Sequence, residues 1–331
     1  MRWPWRRRRE AAARLVLALH EDTLAYLLAE RVQPQRWRVL RHGVERRGGD
    51  SVEAFAKRLA GLGLKGQVAL GLLRPAQYQI VQIEAPAVPP EELRTAARWQ
   101  IRDMVSQHID DLTLDVLKVG DETVRATGSL FVVAGQNAAI RALMEMAQAL
   151  RCEMGVIDVQ DLAQRNLQSL CAGELGLGEQ AHAAVLLTDD SQALLTICAR
   201  GELFYTRRID LGAGFAQQAW GQAMGAAAAE LSLVQESTPQ AERSQRLVVE
   251  IQRTLDLWDR TWPALPLERL LVQAGARTDE MTRWLQQELG QAVLPLDVTA
   301  HFEGFDAGDE DERRLCWPLL GLLLRDEGRT L

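Results

Sequence analysis

The pattern of apolar and polar positions divides the chain into alternating strand and helix segments. An unbroken apolar run, Leu15–Leu19, is followed by the polar turn His20-Glu21-Asp22 and by two further strand-like segments, Thr23–Ala29 and Arg36–His42. Ser51–Leu62 is expected to be a helix with Ser51 as its N-cap. Strands are expected at Gln67–Leu72 and Gln77–Ile83, around a turn at Arg74-Pro75. Glu91–Ser106 has apolar residues at helical spacing (Leu93, Ala96, Ala97, Ile101, Met104, Val105), proline before it and acids in its first turn. Leu114–Val119 and Ser129–Ala134 are strand-like, Asn137–Leu150 is an amphipathic helix, and Val156–Asp158 is a short strand.

The pattern of the first forty residues returns about 170 residues later. Ala184–Leu187, the turn Asp189-Asp190-Ser191, Ala193–Cys198, a break at Gly201 and Leu203–Ile209 repeat the order strand, acidic turn, strand, turn, strand. A repeat at that distance points to a duplicated lobe, since solenoid units recur every 20–50 residues. Beyond it, Gly212-Ala213-Gly214 leads into a helix expected from Phe215, and Arg246–Trp258 is a long amphipathic helix. Leu270–Gln273 is a strand ending in Ala274-Gly275-Ala276. A helix over Asp279–Leu289 is closed by Gly290, and Ala292–Leu296 is a strand. Residues 303–312 are expected to form an acidic loop and Leu315–Arg325 a closing apolar helix.

Composition narrows the function classes. The 331 residues suffice for two lobes with separate cores. The net charge of −7 argues against general nucleic-acid binding. Twelve arginines against six acids in residues 1–50 leave the remainder strongly acidic. The N-terminus resembles a secretion signal, but Arg14 interrupts its apolar run and no small-residue cleavage site follows. The longest apolar stretch, Trp317–Leu324, is too short to span a bilayer. Cys152, Cys171, Cys198 and Cys316 have no metal-ligand spacing and are expected to be reduced thiols. The five histidines are scattered, and His108 beside Asp110-Asp111 is expected to be a solvated helix end.

Taken in order, four local stretches resemble the PilM-like branch of the actin-like superfamily, proteins of type IV pilus assembly. They are Phe204-Tyr205-Thr206-Arg207-Arg208-Ile209 with Gly212, Glu250-Ile251-Gln252-Arg253-Thr254-Leu255, Pro318–Arg325, and Ala85-Pro86 followed by Glu91-Glu92-Leu93 and Trp99. Within that branch the chain resembles the MshI-type proteins of mannose-sensitive haemagglutinin (MSHA) pilus systems. The resemblance spans residues 14–331 and implies a two-lobed actin-like, ribonuclease-H-like α/β fold with mixed sheets. Its implied parts are a basic tail (1–13), lobe I subdomain 1A (14–66), an inserted 1C-like subdomain (67–150), a return to lobe I (151–182), lobe II (183–314) and a closing helix (315–331).

Members with ATPase activity hold phosphates between two strand-turn-strand loops. An Asp in each coordinates Mg²⁺ or positions water, and a Gly lets backbone amides approach the phosphates. Here Ala18 and His20 take the Asp and Gly positions of the first loop, and Ala25 stands where a lysine is common. Leu187 and Asp189 take those positions in the second, where only Ser191 survives, and the adenosine-side Gly-Gly is Ala274-Gly275. Glu21 and Asp22 (followed by Thr23) and Asp189 and Asp190 are expected to face a phosphate with no nearby Lys or Arg. A carboxylate about 4 Å from a phosphate charge costs about 1 kcal/mol in water and several times that in a cleft. The expectation is therefore no ATP hydrolysis, no metal site and no required cofactor. ATP with Mg²⁺ is at most weakly held, through the candidate nucleoside contacts Glu250, Arg253 and Gly275.

The resemblance further implies a cytoplasmic adaptor at the inner face of the inner membrane. Its partners would be the tail of a PilN-like inner-membrane protein and the pilus assembly ATPase, with no nucleic acid. Two rivals share the fold: a working actin-like ATPase, and the cytoplasmic part of a GspL-like type II secretion protein. The latter would continue into a membrane span, and none occurs up to Leu331. Trp3, Trp5, Arg6, Arg7, Arg8 and Arg9 are candidates for contact with a membrane or partner.

Overall fold

The computed structural model describes residues 13–120, 128–187, 189–218, 220 and 239–325. The tail candidates Trp3, Trp5 and Arg6–Arg9 lie outside these residues, as does the helix expected beyond Phe215; Phe215–Gln218 itself is a turn. The chain divides into two units. Unit 1 comprises residues 1–117, 129–163 and 299–331, and unit 2 comprises residues 118–128 and 164–298.

Unit 1 is built on a six-stranded sheet. The antiparallel meander β1 (Arg14–His20), β2 (Thr23–Gln33) and β3 (Arg36–Arg46) continues through parallel pairing of β1 with β4 (Val68–Leu73) and of β4 with β8 (Glu153–Val159). The short β14 (Phe302–Glu303) pairs with β3 at the other edge, completing the order β14-β3-β2-β1-β4-β8. Helices α1 (Val52–Arg58) and α3 (Asn137–Ala149) cover one face, where Leu15, Leu17, Leu24 and Tyr26 pack with Phe55 and Leu143. The other face of β1–β3 is covered by α7 (Glu310–Leu323). Burial on both faces explains the continuous apolar run in β1, since alternation marks only half-buried strands.

A second sheet in this unit, β5 (Tyr78–Glu84), β7 (Ser129–Gln136) and β6 (Leu112–Lys118), carries α2 (Leu93–Ile101) through Ile83, Ala97, Ile101, Leu114 and Val132.

Unit 2 repeats five strands of the six-stranded sheet. Its order is β11 (Glu202–Asp210), β10 (Gln192–Ala199), β9 (Ala181–Leu187), β12 (Leu267–Gln273) and β13 (Val293–Pro295). The first three strands are antiparallel, and β12 and β13 join in parallel. This is the order β3-β2-β1-β4-β8 again, so the similarity of the two hairpin regions reflects one topology used twice. Helices α5 (Pro239–Thr261) and α6 (Thr278–Leu289) bury Leu247, Ile251, Trp258, Met281 and Trp284 against it. Gly290 ends α6 with φ +65°, the left-handed conformation expected of a C-terminal cap.

Several sequence-based boundaries move. Val68–Leu73 belongs to the six-stranded sheet, so the inserted sheet begins at Tyr78 and not at residue 67. The helix expected at Glu91–Ser106 is regular only over Leu93–Ile101. The acidic loop and closing helix merge: Asp309 accepts a hydrogen bond from Glu312 N (3.0 Å) and caps α7, whose first turn holds Glu310, Asp311 and Glu312. Carboxylates there complement the helix dipole. This segment belongs to unit 1 from Thr299, so unit 2 stops at Val298 and not at 314. Helix α4 (Gln160–Glu174), absent from the sequence reading, runs across the division at Ala163 and Gln164, within the segment 151–182 assigned to lobe I.

Candidate functional site

In parallel α/β sheets, ligands bind beyond the carboxyl ends of the strands. In unit 1 that end carries the β1–β2 turn and the residues after β4 and β8. The turn is tight, with His20 paired to Thr23 and Glu21 at φ +55°, a left-handed conformation that costs a non-glycine residue about 1 kcal/mol. Asp22 accepts from its neighbour Thr23 Oγ1 (3.0 Å), and its carbonyl accepts from Arg47 N (2.6 Å). Ala18, the residue expected at the first loop's Asp position, is 2% exposed inside the sheet, and its methyl side chain carries no ligand atom.

Beside this turn lies a set of buried polar residues that the sequence reading missed. Asp158 is the last residue but one of β8, and Gln160 and Asp161 open α4; all three are buried. Asp158 Oδ2 accepts from Arg325 (2.5 Å) and Oδ1 from Val159 N (2.8 Å). Asp161 accepts from the hydroxyl of Tyr78. Gln77 Nε2 donates to Leu19 O (2.7 Å), tying the β4–β5 turn to the end of β1. Arg74 donates to Gln160 Oε1 (3.4 Å) and to the carbonyl of Leu315. Each buried carboxylate thus has a partner from within its own unit, as buried charges require. The available signal was the three polar residues Asp158, Gln160 and Asp161 clustered at the end of a strand and the start of the next segment.

In unit 2 the β9–β10 turn is closed by its own aspartates. Asp189 Oδ1 accepts from Ser191 N (2.7 Å), Ser191 Oγ (3.0 Å) and Gln192 N (2.9 Å). A carboxylate of the chain therefore engages the amides that a phosphate-binding turn would present to its ligand. Asp190 braces the following segment: its Oδ2 accepts from Gly214 N (2.9 Å) and its carbonyl from Phe215 N (3.0 Å). Leu187, the residue expected at the second loop's Asp position, is buried in the unit 2 core.

The remaining candidates are also engaged. Gly275, at φ +61°, donates its amide to Gln273 Oε1 (2.7 Å), and its carbonyl accepts from Thr278 Oγ1 (2.7 Å). Glu250 lies between Arg253 (3.0 Å) and Arg207 of β11, which pairs with its second oxygen. Arg253 is largely exposed, and an open groove of about 650 Å³ runs beside it along α5, lined by Glu242, Gln245, Arg246 and Val249. His108 is exposed, and its Nδ1 accepts from Asp110 N (3.4 Å) to cap the turn before β6. Among the described residues no cluster of three or more His, Cys, Asp or Glu is placed to hold a metal ion. Burial pushes the Cys171 thiol up to about 11 and Cys316 up to about 12, which keeps both protonated and unreactive at neutral pH.

The strands of the second loop are held from behind by α4. Gln168 Nε2 donates to His182 O (2.7 Å) and to His182 Nδ1 (2.9 Å), and its Oε1 accepts from Thr196 Oγ1 (2.6 Å). Gln164 Nε2 donates to Thr196 Oγ1 (2.8 Å). An amide nitrogen only donates, so His182 Nδ1 accepts and the ring is neutral. Burial lowers its pKa to about 4.

No family model and no curated protein matches the sequence. Solved structures do. A PilM–PilN type IV pilus biogenesis complex matches with a TM-score of 0.67 at 16% identity, covering 95% of this chain and 98% of that one. A Bacteroides thetaiotaomicron protein with an actin-like ATPase fold and unknown function matches with a TM-score of 0.50 at 10% identity, covering 94% and 96%. The cytoplasmic domain of EpsL, an inner-membrane component of the Vibrio cholerae type II secretion system, gives 0.45 at 15% identity, covering 93% and 95%. The fold defined by the two repeated sheets is the actin-like ATPase fold.

Proposed function

We propose that the chain is a non-hydrolysing adaptor of type IV pilus biogenesis, of the MshI type that serves MSHA pili. It works at the cytoplasmic face of the inner membrane and binds the cytoplasmic tail of a PilN-like single-pass protein; the pilus assembly ATPase is a second partner. The likeness over nearly the full chain to a PilM–PilN complex supports the partner class. The observation that carries the loss of activity is the second turn, where Asp189 takes up the amides of Ser191 and Gln192. The buried Ala18 and Leu187 at the two acid positions support the same reading.

Nucleotide and Mg²⁺ are therefore not required for the adaptor's work, and the scaffold keeps the fold while its phosphate loops serve as internal braces. The test is capture of membrane-protein tails from the products of genes neighbouring its own, using the purified full chain as bait. A stable one-to-one complex with a short N-terminal cytoplasmic tail is the expected result. Failure to retain any such tail sinks the adaptor reading.

A further inference from the structure

The three sheets leave six edge strands among the described residues, and five of them are short, charged or interrupted, as protected edges are. β14 has two residues, and its Glu303 is paired to Arg38 of β3. β13 has three and ends at Pro295, which has no amide hydrogen. β11 carries Glu202, Arg207, Arg208 and Asp210, and its Leu203 O already accepts from Gly120 N (3.0 Å). β6 carries Lys118 and Asp115, the latter paired to Arg94 (2.9 Å). β8 opens on Glu153 and is interrupted by Gly155, which has no side chain to pack across strands.

β5 is the exception. From Pro75 to Ile83 no residue is charged, and Tyr78–Ile83 combines an aromatic ring, three β-branched residues and two glutamines. Short uncharged segments of this composition, without proline, pair with copies of themselves. One edge of β5 is paired to β7 along all seven residues. At the other edge no backbone hydrogen bond from the described residues reaches Gln79–Ile83. Gln100 Nε2 donates to Glu84 O (3.4 Å) and Ser106 N to the Gln79 side chain (2.9 Å), and neither contact engages the backbone of Gln79–Ile83. Gln82 is exposed, and Ile80 and Val81 are half-buried.

The charge pattern selects the arrangement. The one charge on β5 is Glu84. In a parallel, in-register stack of copies the Glu84 carboxylates would recur about 4.8 Å apart, and like charges directly opposite repel. Antiparallel pairing of all seven residues sets Glu84 opposite Tyr78, and the two carboxylates lie about 20 Å apart. Ile80 then faces Gln82, Gln79 faces Ile83, and Val81 faces its own copy.

We propose that β5 pairs with β5 of a second copy of this chain, antiparallel about a two-fold axis at Val81, joining two three-stranded sheets into one of six strands. Such an interface is isologous and closes at the dimer. Seven residues a side is well below the roughly 20–30 of a standard interface, so the dimer is weak, with a Kd on the order of tens of micromolar. The inference goes beyond the adaptor reading. It concerns the chain alone, so its failure leaves that reading standing.

The experiment is sedimentation velocity of the full chain over about 2–200 μM, with no partner added. A monomer–dimer equilibrium that stops at two copies is expected. Gln82→Lys, at an exposed position, is expected to weaken it about tenfold, because the symmetry counts each charge twice. Circular dichroism checks the folding of each variant. Val81→Cys is expected to give a disulfide-linked dimer under mild oxidation, whereas the native chain and Thr113→Cys on the β6 edge are expected to give none. A single monomeric species up to the highest concentration overturns the proposal, as does native-strength association by Gln82→Lys. Cross-linking at position 113 as readily as at 81 overturns it in favour of another face. Growth into an open series of larger species overturns it in favour of parallel stacking.

Discussion

Replacing Gln168 with leucine tests how unit 2 holds the strands that carry its turn. Gln168, Thr196 and His182 are each at most 1% exposed. The substitution removes the donor to His182 Nδ1 (2.9 Å) and His182 O (2.7 Å) and the acceptor of Thr196 Oγ1 (2.6 Å). Leaving a buried polar group without a partner costs about 1–3 kcal/mol, and at least two groups are stranded, so the total is about 3–5 kcal/mol. Leucine fits the space of glutamine, so lost volume adds little. Hydrogen-exchange mass spectrometry of peptides covering β9 and β10 localises the effect to this unit. Protection there is expected to fall by two to three orders of magnitude at pH 7. The double variant with Thr196→Val should cost less than the sum of the singles, because each change strands the other's partner. A drop in protection below tenfold for Gln168→Leu refutes the reasoning and assigns the strands' stability to apolar packing alone.

Two further outcomes follow from the same packing. The pKa of His182 is lowered to about 4 in the folded chain and is about 6.5 when unfolded. Between those values the unfolded chain binds a proton that the folded one does not, so stability falls as pH drops through the window, by about 3 kcal/mol in all. Thermal unfolding at pH 7 and pH 4.5 should show a smaller acid-induced loss for His182→Asn than for the native chain. Gly321 of α7 packs on α4 so closely that an added Cβ would lie 2.2 Å from the carbonyl oxygen of Ala163. Gly321→Ala should therefore lower stability by about 3 kcal/mol, read as a shift in urea midpoint at unchanged slope.

The fold was legible where residues are buried on two apolar faces or follow one period. The β1 and β9 hairpins announced themselves through runs such as Leu15–Leu19 and Ala184–Leu187, and the repeated strand order bears out the duplication. The Pro318–Arg325 stretch was recognised as a pattern, and the structure supplies its physics. Gly321 permits contact between helix backbones, and Arg325 neutralises the buried Asp158. What escaped was α4. Its buried surface mixes Ala163 and Leu167 with Gln160, Asp161, Gln164 and Gln168, and a polar core leaves no hydrophobic period to read. The candidate site was legible only as a set of substitutions. That Asp189 would occupy its own turn, or that Asp158 and Asp161 would sit at the strand ends with partners from distant segments, depends on long-range contacts that spacing does not encode. The acidic stretch before α7 misled for a local reason, because Asp309 and the three acids after it start a helix.

The central claim is that the chain retains an actin-like frame without the chemistry of its phosphate loops. Isothermal titration of the purified full chain with Mg-ATP, with phosphate release followed in parallel, tests it most directly. The account predicts no saturable heat below the millimolar range and no phosphate release above the buffer rate. Micromolar binding accompanied by turnover would contradict it.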